Sequence, residues 1–585
     1  MQWKRITAVA ATVMLAVGAC GSPSSNNTSG GTGGDAGKAQ EKATDAALKG
    51  PVAEIQGAKK GGTVTVLSDV SPDTLDPTNI YYIDGTQIAK LMYRALTQYK
   101  LDPKSGKPIL VPDLAEDLGT KSADGLTWTF KLKQGIKYMD GRVVKAEDYA
   151  YAIKRSFAHD LYDAGPAYQT QFFKDGESYG GPYGPNGDKY AGVETPDEKT
   201  LIIRLAKKFD DLPFFAAFPL FTPIPQDKDT QKNYDQKPMT TGPYQVASYT
   251  TGTQLKLVRN PHWDPKTDPV RHQYPDGWDF KFSQDVLKVQ RQVLASTGPD
   301  ANALNYTDLD ASLIPEVKDQ SQIVRGQKPC TSFFGMDTRK IPLEVRQLIA
   351  QAFPYDTWRK VRGLSPDTAI PASTILPPAV PGHEKFELPG LTGRGKGAED
   401  PAVAEEIKSK LKDLGKENFT LSWYYANDDK PRTLANQLWT QVFTAAGFKV
   451  KSVGVPKAKI RTMTNDPSAP VNIGQGPSGW CSDWPSGSSW IPVLFKSDAV
   501  KLSNSVGMLQ DKDLDAEIDR VAALSPDDQL KEWPKVDKLI LDKHLPALPL
   551  YYSASAYPVG KNIGHAVHDM TQGMPEFTSI FLKQP

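Results

Sequence analysis

Between Asp400 and Val450 the apolar residues change period in a way that few folds accommodate. Asp400-Pro401 supplies a helix cap and first-turn proline, and Val403, Ile407, Leu411 and Leu414 follow at helical spacing up to Gly415. Phe419-Thr-Leu421-Ser-Trp423 then alternates as a strand. Leu434, Leu438, Val442 and Ala445 mark a second helix ending at Gly447, and Phe448-Lys-Val450 a second strand. Strand, helix and strand with short connections imply a βαβ unit on a parallel sheet.

Upstream, period-two runs dominate. Leu126-Thr-Trp128-Thr-Phe130-Lys-Leu132 places four apolar residues on one face, and Leu201-Ile-Ile203-Arg-Leu205 and Leu255-Lys-Leu257 do likewise on a smaller scale. With 47 glycines and 47 prolines, turns and ordered loops are expected in place of a helical bundle. Ala547-Leu-Pro-Leu550-Tyr-Tyr552 reads as a late strand returning to the first part. No internal repeat is visible.

The N-terminus has the layout of an export signal. Lys4 and Arg5 precede an uncharged apolar run, Ile6 to Val17, too short to span a bilayer comfortably. Val17-Gly18-Ala19-Cys20 resembles the bacterial lipobox, in which cleavage leaves a diacylglycerol-bearing cysteine; a plain secreted protein is the alternative. Residues 1–19 are thus expected to be a signal peptide and 20–60 a lipidated flexible tether, its Gly/Ser/Asn/Thr-rich start having almost nothing to bury. No other stretch is long and apolar enough to cross a membrane, so a lipid-anchored protein facing the extracytoplasmic space is expected.

Lysine plus arginine (69) nearly cancel aspartate plus glutamate (68), so no global field recruits nucleic acid. With Cys20 assigned to lipid, Cys330 and Cys481 remain. Two thiols in an exported protein most often pair; two free buried thiols are the alternative. The loop of about 150 residues closed by such a bond would stabilise the fold by roughly 5 kcal/mol at most on the chain-entropy view.

Reactive constellations are missing from the sequence. His565 and His568 have no third ligand nearby. Asp511-Lys-Asp513-Leu-Asp515 imitates a calcium loop, but Ala516 and Ala522 replace the required glycine and glutamate. No phosphate-binding glycine loop or Gly-x-Ser-x-Gly elbow occurs. A non-enzyme without metal or cofactor is the reading.

The segment Ser478-Gly479-Trp480-Cys481-Ser482-Asp483-Trp484 combines a cysteine, a carboxylate and two large aromatics, with Gly474, Gly476 and Gly479 allowing another chain or a ligand to come close. A bonded cysteine would fix a carboxylate two residues away for presentation to a ligand; a surface loop with an incidental acid is the plainer alternative.

Three motifs together resemble the large extracytoplasmic solute-binding proteins of ABC importers, the peptide and nickel-binding family. Asp124-Gly-Leu-Thr-Trp-Thr-Phe-Lys-Leu-Lys-Gln-Gly-Ile-Lys137, continuing through Asp140-Gly141 to Lys145-Ala-Glu-Asp148, looks like the family signature DGLTYTFKLRxGVKFHDGxPVTAEDV. Thr241-Gly-Pro-Tyr244 with Arg259-Asn-Pro261 is similar to its TGPY…RNP pattern. The Ser478–Trp484 segment is similar to the oligopeptide-binding branch, and Cys330-Thr331 to the position of that branch's disulfide partner.

The resemblance implies a two-lobed, type II periplasmic-binding-protein-like α/β fold with an extra subdomain in the N-terminal lobe. Its parts would be an N-terminal lobe at 61–329, with the subdomain at about 97–200, a second lobe at 330–542, and a return at 543–585. Hinge crossings are placed near 328–332 and 543–548. It also implies a monomeric receptor that binds oligopeptides and delivers them to permease subunits. Asp483 would take the peptide α-ammonium, Gly479 and Cys481 its main chain, with Trp480 and Trp484 beside it. The departure Trp484-Pro485-Ser486-Gly487 leaves pocket size open. Two other readings stand: an oligosaccharide stacked on Trp480, Trp484 and Trp490, and a sensory lipoprotein without transport.

Overall fold

The computed structural model describes residues 42–102, 106–184, 187, 189–386 and 395–585. The expected signal peptide, Cys20 and the polar tract up to residue 41 lie outside the described residues.

The first lobe is built on a five-stranded sheet in the order Ala303–Leu304, Thr63–Leu67, Gly277–Lys281, Gln254–Arg259, Tyr244–Thr250. Thr63–Leu67 runs parallel to both of its neighbours, and the remaining pairs are antiparallel. Alternation decides which face is buried: Val64 and Val66 point into a core shared with Trp278, Phe280 and helix Ile83–Met92. Leu255 and Leu257 enter that core as the period-two reading expected.

A subdomain is inserted after this helix. It contains the hairpin Thr97–Leu101/Pro108–Pro112 and a four-stranded sheet in which Thr127–Lys131 pairs with Thr200–Arg204. Trp128, Phe130, Leu132, Leu201, Ile203 and Leu205 all bury their side chains there, packed under helix Ala146–Arg155.

In the second lobe the βαβ unit is present. Asp400 caps helix Pro401–Asp413 by accepting from the Ala402 amide, strand Thr420–Ala426 pairs in parallel with Lys449–Val455, and helix Lys430–Ala445 joins the two strands. Gly415 and Gly447 follow the two helices with φ of +64° and +94°, a left-handed conformation that glycine adopts without steric cost. Leu421, Trp423, Ile407, Leu411, Val442 and Phe443 fill the core between them.

Two long antiparallel strands, Ile323–Gly335 and Ala547–Pro558, connect the lobes. Their outer halves belong to different cores: Val324 and Tyr557 to the first lobe, Phe333, Phe334, Ala547 and Leu548 to the second. Pairing is irregular between Gln327 and Thr331, opposite Tyr552–Ala554. One crossing therefore falls at the expected place. The other lies near 552–554 and not at 543–548, because Ala547, Leu548 and Leu550 are still buried in the second lobe.

The segment 42–60, expected to be part of the flexible tether, is instead laid along the first lobe. Ala43 and Asp45 exchange backbone bonds with Leu110, the Val52 amide donates to Asp268 O, and the Ile55 amide donates to the Tyr274 hydroxyl. Buried Ala43 also donates its amide to Asp527 Oδ1 of the second lobe at 2.8 Å.

Candidate functional site

Strand Gly479–Cys481 is the edge of the sheet that joins the lobes, pairing Cys330 with Cys481, Thr331 with Trp480 and Ser332 with Gly479. Cys330 and Cys481 form a disulfide, and the Ser482 amide donates to Pro329 O at 2.8 Å. Gly479 suits the close pairing, since a Cβ there would sit 3.0 Å from Thr331 O and press on it. Gly476, expected to admit a ligand, admits the chain's own backbone: a Cβ there would meet Ser505 O at 2.0 Å.

Two residues beyond the disulfide, Asp483 leaves the second lobe and points at the first. Its Oδ1 accepts from the Tyr81 hydroxyl at 2.6 Å and its Oδ2 from the Tyr168 hydroxyl. Tyr81 lies just ahead of helix Ile83–Met92, and Tyr168 opens the short helix Tyr168–Phe172 of the subdomain. Burial pushes the Asp483 carboxyl above its ordinary pKa, against the lowering effect of the two phenols. No salt bridge reaches it among the described residues. Asp483 is thus a half-buried acid held by neutral donors.

Beside it lies a cavity of about 340 Å³. Its walls are one face of helix Ile83–Met92, the aromatics Tyr81, Tyr93, Tyr99 and Phe218, Lys328-Pro329-Cys330 at the break in pairing of the two connecting strands, and Cys481-Ser482-Asp483 with Thr571-Gln572 closing one side. Lys90 on the helix is buried in an ion cluster with Asp569 and Glu576, and Lys328 pairs with Asp308 at 2.7 Å.

Asp483 and Cys481 line this cavity, whereas Gly479 and Trp480 lie on the adjoining edge strand. Trp480 donates its indole N–H to Ser489 O at 2.9 Å and packs partly into the second-lobe core. Trp484, expected to touch the ligand, sits behind Asp483 instead. Its ring is buried edge-on to Tyr168, with centroids 5.1 Å apart, and its N–H donates to Asp211 Oδ2 and Ser488 Oγ, each at 3.1 Å. Asp211 is itself pushed up to about 6 by burial. Trp490 is wholly buried and donates to Ser482 Oγ.

Tyr81, Tyr168, Lys90 and Lys328 were not foreseen. Tyr81 and Tyr168 are 402 and 315 residues from Asp483 in sequence, and no local pattern marks them among 23 tyrosines.

The model of the bacterial extracellular solute-binding proteins, family 5 (middle), matches residues 110–501. A di/tripeptide-binding protein 2 of Pseudomonas aeruginosa (strain UCBPP-PA14) is 26% identical over 426 residues, covering 62% of this chain and 72% of its own. The periplasmic oligopeptide-binding protein OppA of Escherichia coli (strain K12) is 23% identical over 511 residues, covering 84% and 87%. Among solved structures, a clavulanic acid biosynthesis oligopeptide binding protein 2 superposes with a TM-score of 0.77 at 24% identity, over 90% of this chain and 96% of that one. With the family pattern spanning more than half of its length and the two-lobed architecture shared, this chain belongs to the bacterial extracellular solute-binding proteins of family 5.

Proposed function

We propose that this protein captures peptides between its lobes, with the ligand's α-ammonium on Asp483, and delivers them to an ABC permease while tethered to the membrane by lipid on Cys20. The observation that carries the reading is Asp483: a half-buried carboxylate, lining a cavity between lobes, that hydroxyls hold and no cation pairs with among the described residues. Such a group supplies what an ammonium leaving water needs, a charged and hydrogen-bonding partner.

The edge strand Gly479–Cys481 adds to this. It pairs with Cys330–Ser332 on one side only, so an extended ligand could join its other edge through main-chain bonds that ignore side-chain identity. Relatives named for binding di-, tri- and oligopeptides support the same class of solute. The oligosaccharide reading is weakened, since of Trp480, Trp484 and Trp490 only Trp480 is partly exposed.

Native mass spectrometry of the freshly exported protein tests the solute class. Bound masses that fragment as peptides are expected, and a carbohydrate series would overturn the reading. The mass of the mature N-terminal fragment tests the anchor separately, a diacylated Cys20 being the expected result.

A further inference from the structure

Residues 449–464 carry five cations, Lys449, Lys451, Lys457, Lys459 and Arg461, and no acid. Without these five, the 69 cations of the chain become 64 against 68 acids, so the positive charge is local and not a property of the whole molecule. The run covers strand Lys449–Val455 and helix Lys457–Asn465 of the second lobe. In the parallel pair, Lys449 stands beside Thr420 and Lys451 beside Ser422, on the face turned away from Leu421 and Trp423, which fill the core. The helix turns back along strand Thr420–Ala426 and buries none of its own residues. All five cations are exposed. Only Lys457 has an ion-pair partner among the described residues, Asp429 at 3.2 Å.

Lysines on a sheet's edge strand deter pairing with a second strand, which accounts for Lys449 and Lys451. It does not account for Lys459 and Arg461, which sit on a helix with no sheet edge to guard. Four unpaired cations on two adjoining elements, with no acid between them in sequence, complement a dense layer of negative charge. Basic residues held close to an anionic leaflet are attracted to it, with a reach of about one Debye length. A lipid on Cys20 would hold the protein at such a layer, and the stretch from Cys20 to Lys42 spans at most about 75 Å when fully extended.

We infer that the outward face of Lys449–Val455 and Lys457–Asn465 rests on anionic phospholipid headgroups and turns the second lobe toward the bilayer. The inference goes beyond solute capture and uses the lipid on Cys20 only for proximity.

The test is vesicle flotation of the chain from Cys20 onward, purified without lipid, so that binding reports the protein surface alone. The vesicles are POPC, or POPC and POPG at about 7:3, in about 0.05 M salt and in about 1 M salt, where the Debye length falls to about 3 Å. At low salt the anionic vesicles should take up the protein at least about tenfold better than POPC, and at high salt the two should agree within about threefold. Lys449→Gln/Lys451→Gln/Lys459→Gln/Arg461→Gln should abolish the preference while the urea midpoint stays at the parent's. Lys232→Gln/Lys256→Gln/Lys318→Gln/Lys561→Gln removes as much charge from exposed sites outside the second lobe and should keep it. Equal uptake by both vesicles, or uptake by neither, overturns the inference and leaves an acidic protein surface as the occupant of this face. A preference that survives high salt or the first variant, or that vanishes equally in the second, also overturns it, because another face or the net charge is then responsible.

Discussion

Trp484 offers a sharp test of how the lobes are held together. It belongs to the second-lobe segment that follows the disulfide, yet its ring is packed among Tyr168 and Phe209 of the subdomain and its N–H reaches Asp211 there. Truncation to alanine removes a buried tryptophan, which typically costs about 3 to 5 kcal/mol. Substitution by phenylalanine keeps a ring but strips the buried Asp211 of a donor, a loss of roughly 1.5 to 3 kcal/mol for a hydrogen bond to a charged group. Because these contacts cross between lobes, the cost falls on the arrangement in which the lobes meet, the closed state of a protein whose lobes can part. The apparent dissociation constant scales inversely with the closed fraction, so where the free protein is mostly open the cost passes into affinity. At about 1.4 kcal/mol per tenfold, the alanine variant should bind some 150- to 5,000-fold more weakly and the phenylalanine variant some 10- to 150-fold. Calorimetry gives affinity, and urea unfolding gives the stability of the lobes themselves. If both variants keep parental affinity while the unfolding midpoint falls, Trp484 serves only the core and the interlobe argument is wrong.

Other outcomes follow from buried charges and the disulfide. Lys90→Met leaves Asp569 and Glu576 buried without their cation and should cost about 3 to 5 kcal/mol, seen as a lower urea midpoint; an unchanged midpoint would contradict the burial of the cluster. Asp537 is fully buried, and burial pushes its carboxyl from 3.8 up to about 7. The folded state therefore keeps this proton to higher pH than the unfolded chain. The contribution is complete below about pH 4 and lost as pH rises through 7. Asp537→Asn should remove that decline, and a stability that climbs over the same range because of Asp537 would refute the assignment. Reduction of the Cys330–Cys481 bond, whose partners are 151 residues apart, should lower stability by up to about 5 kcal/mol, and no change would show that the bond constrains nothing.

Much of the architecture was legible because its signals are local. The helices and strands between Asp400 and Val455 declare themselves through period, an aspartate cap and two glycine stops, and the inward face of Leu126–Leu132 through alternation. The site was legible only in part. Cysteine count and motif pointed to Cys330, Cys481 and Asp483, but the tyrosines that hold Asp483 come from segments hundreds of residues away, and only tertiary packing brings them there. Trp484 was misplaced for the same reason, since its aromatic neighbours belong to the subdomain. The second crossing lies later than expected because the strand from Ala547 continues to Pro558, a length set by pairing with Ile323–Gln327 and invisible in its own composition. Residues 42–60 looked like tether because what fixes them is mainly backbone bonding to distant strands and loops.

The central claim is that Asp483 meets the ligand's α-ammonium, and a crossed calorimetric measurement tests it. Asp483→Asn keeps the shape and an acceptor but removes the charge. Loss of one partner of a buried charge pair typically costs about 2 to 5 kcal/mol, or some 30- to 4,000-fold in affinity. A free peptide should therefore bind the variant far more weakly than the parent. Its N-acetylated form should bind the parent poorly and lose much less, or gain, on the variant. A folding defect would weaken both ligands alike and cannot produce that crossing. Equal binding of free and acetylated peptides by the parent would contradict the claim, leaving Asp483 as a structural acid bonded to Tyr81 and Tyr168.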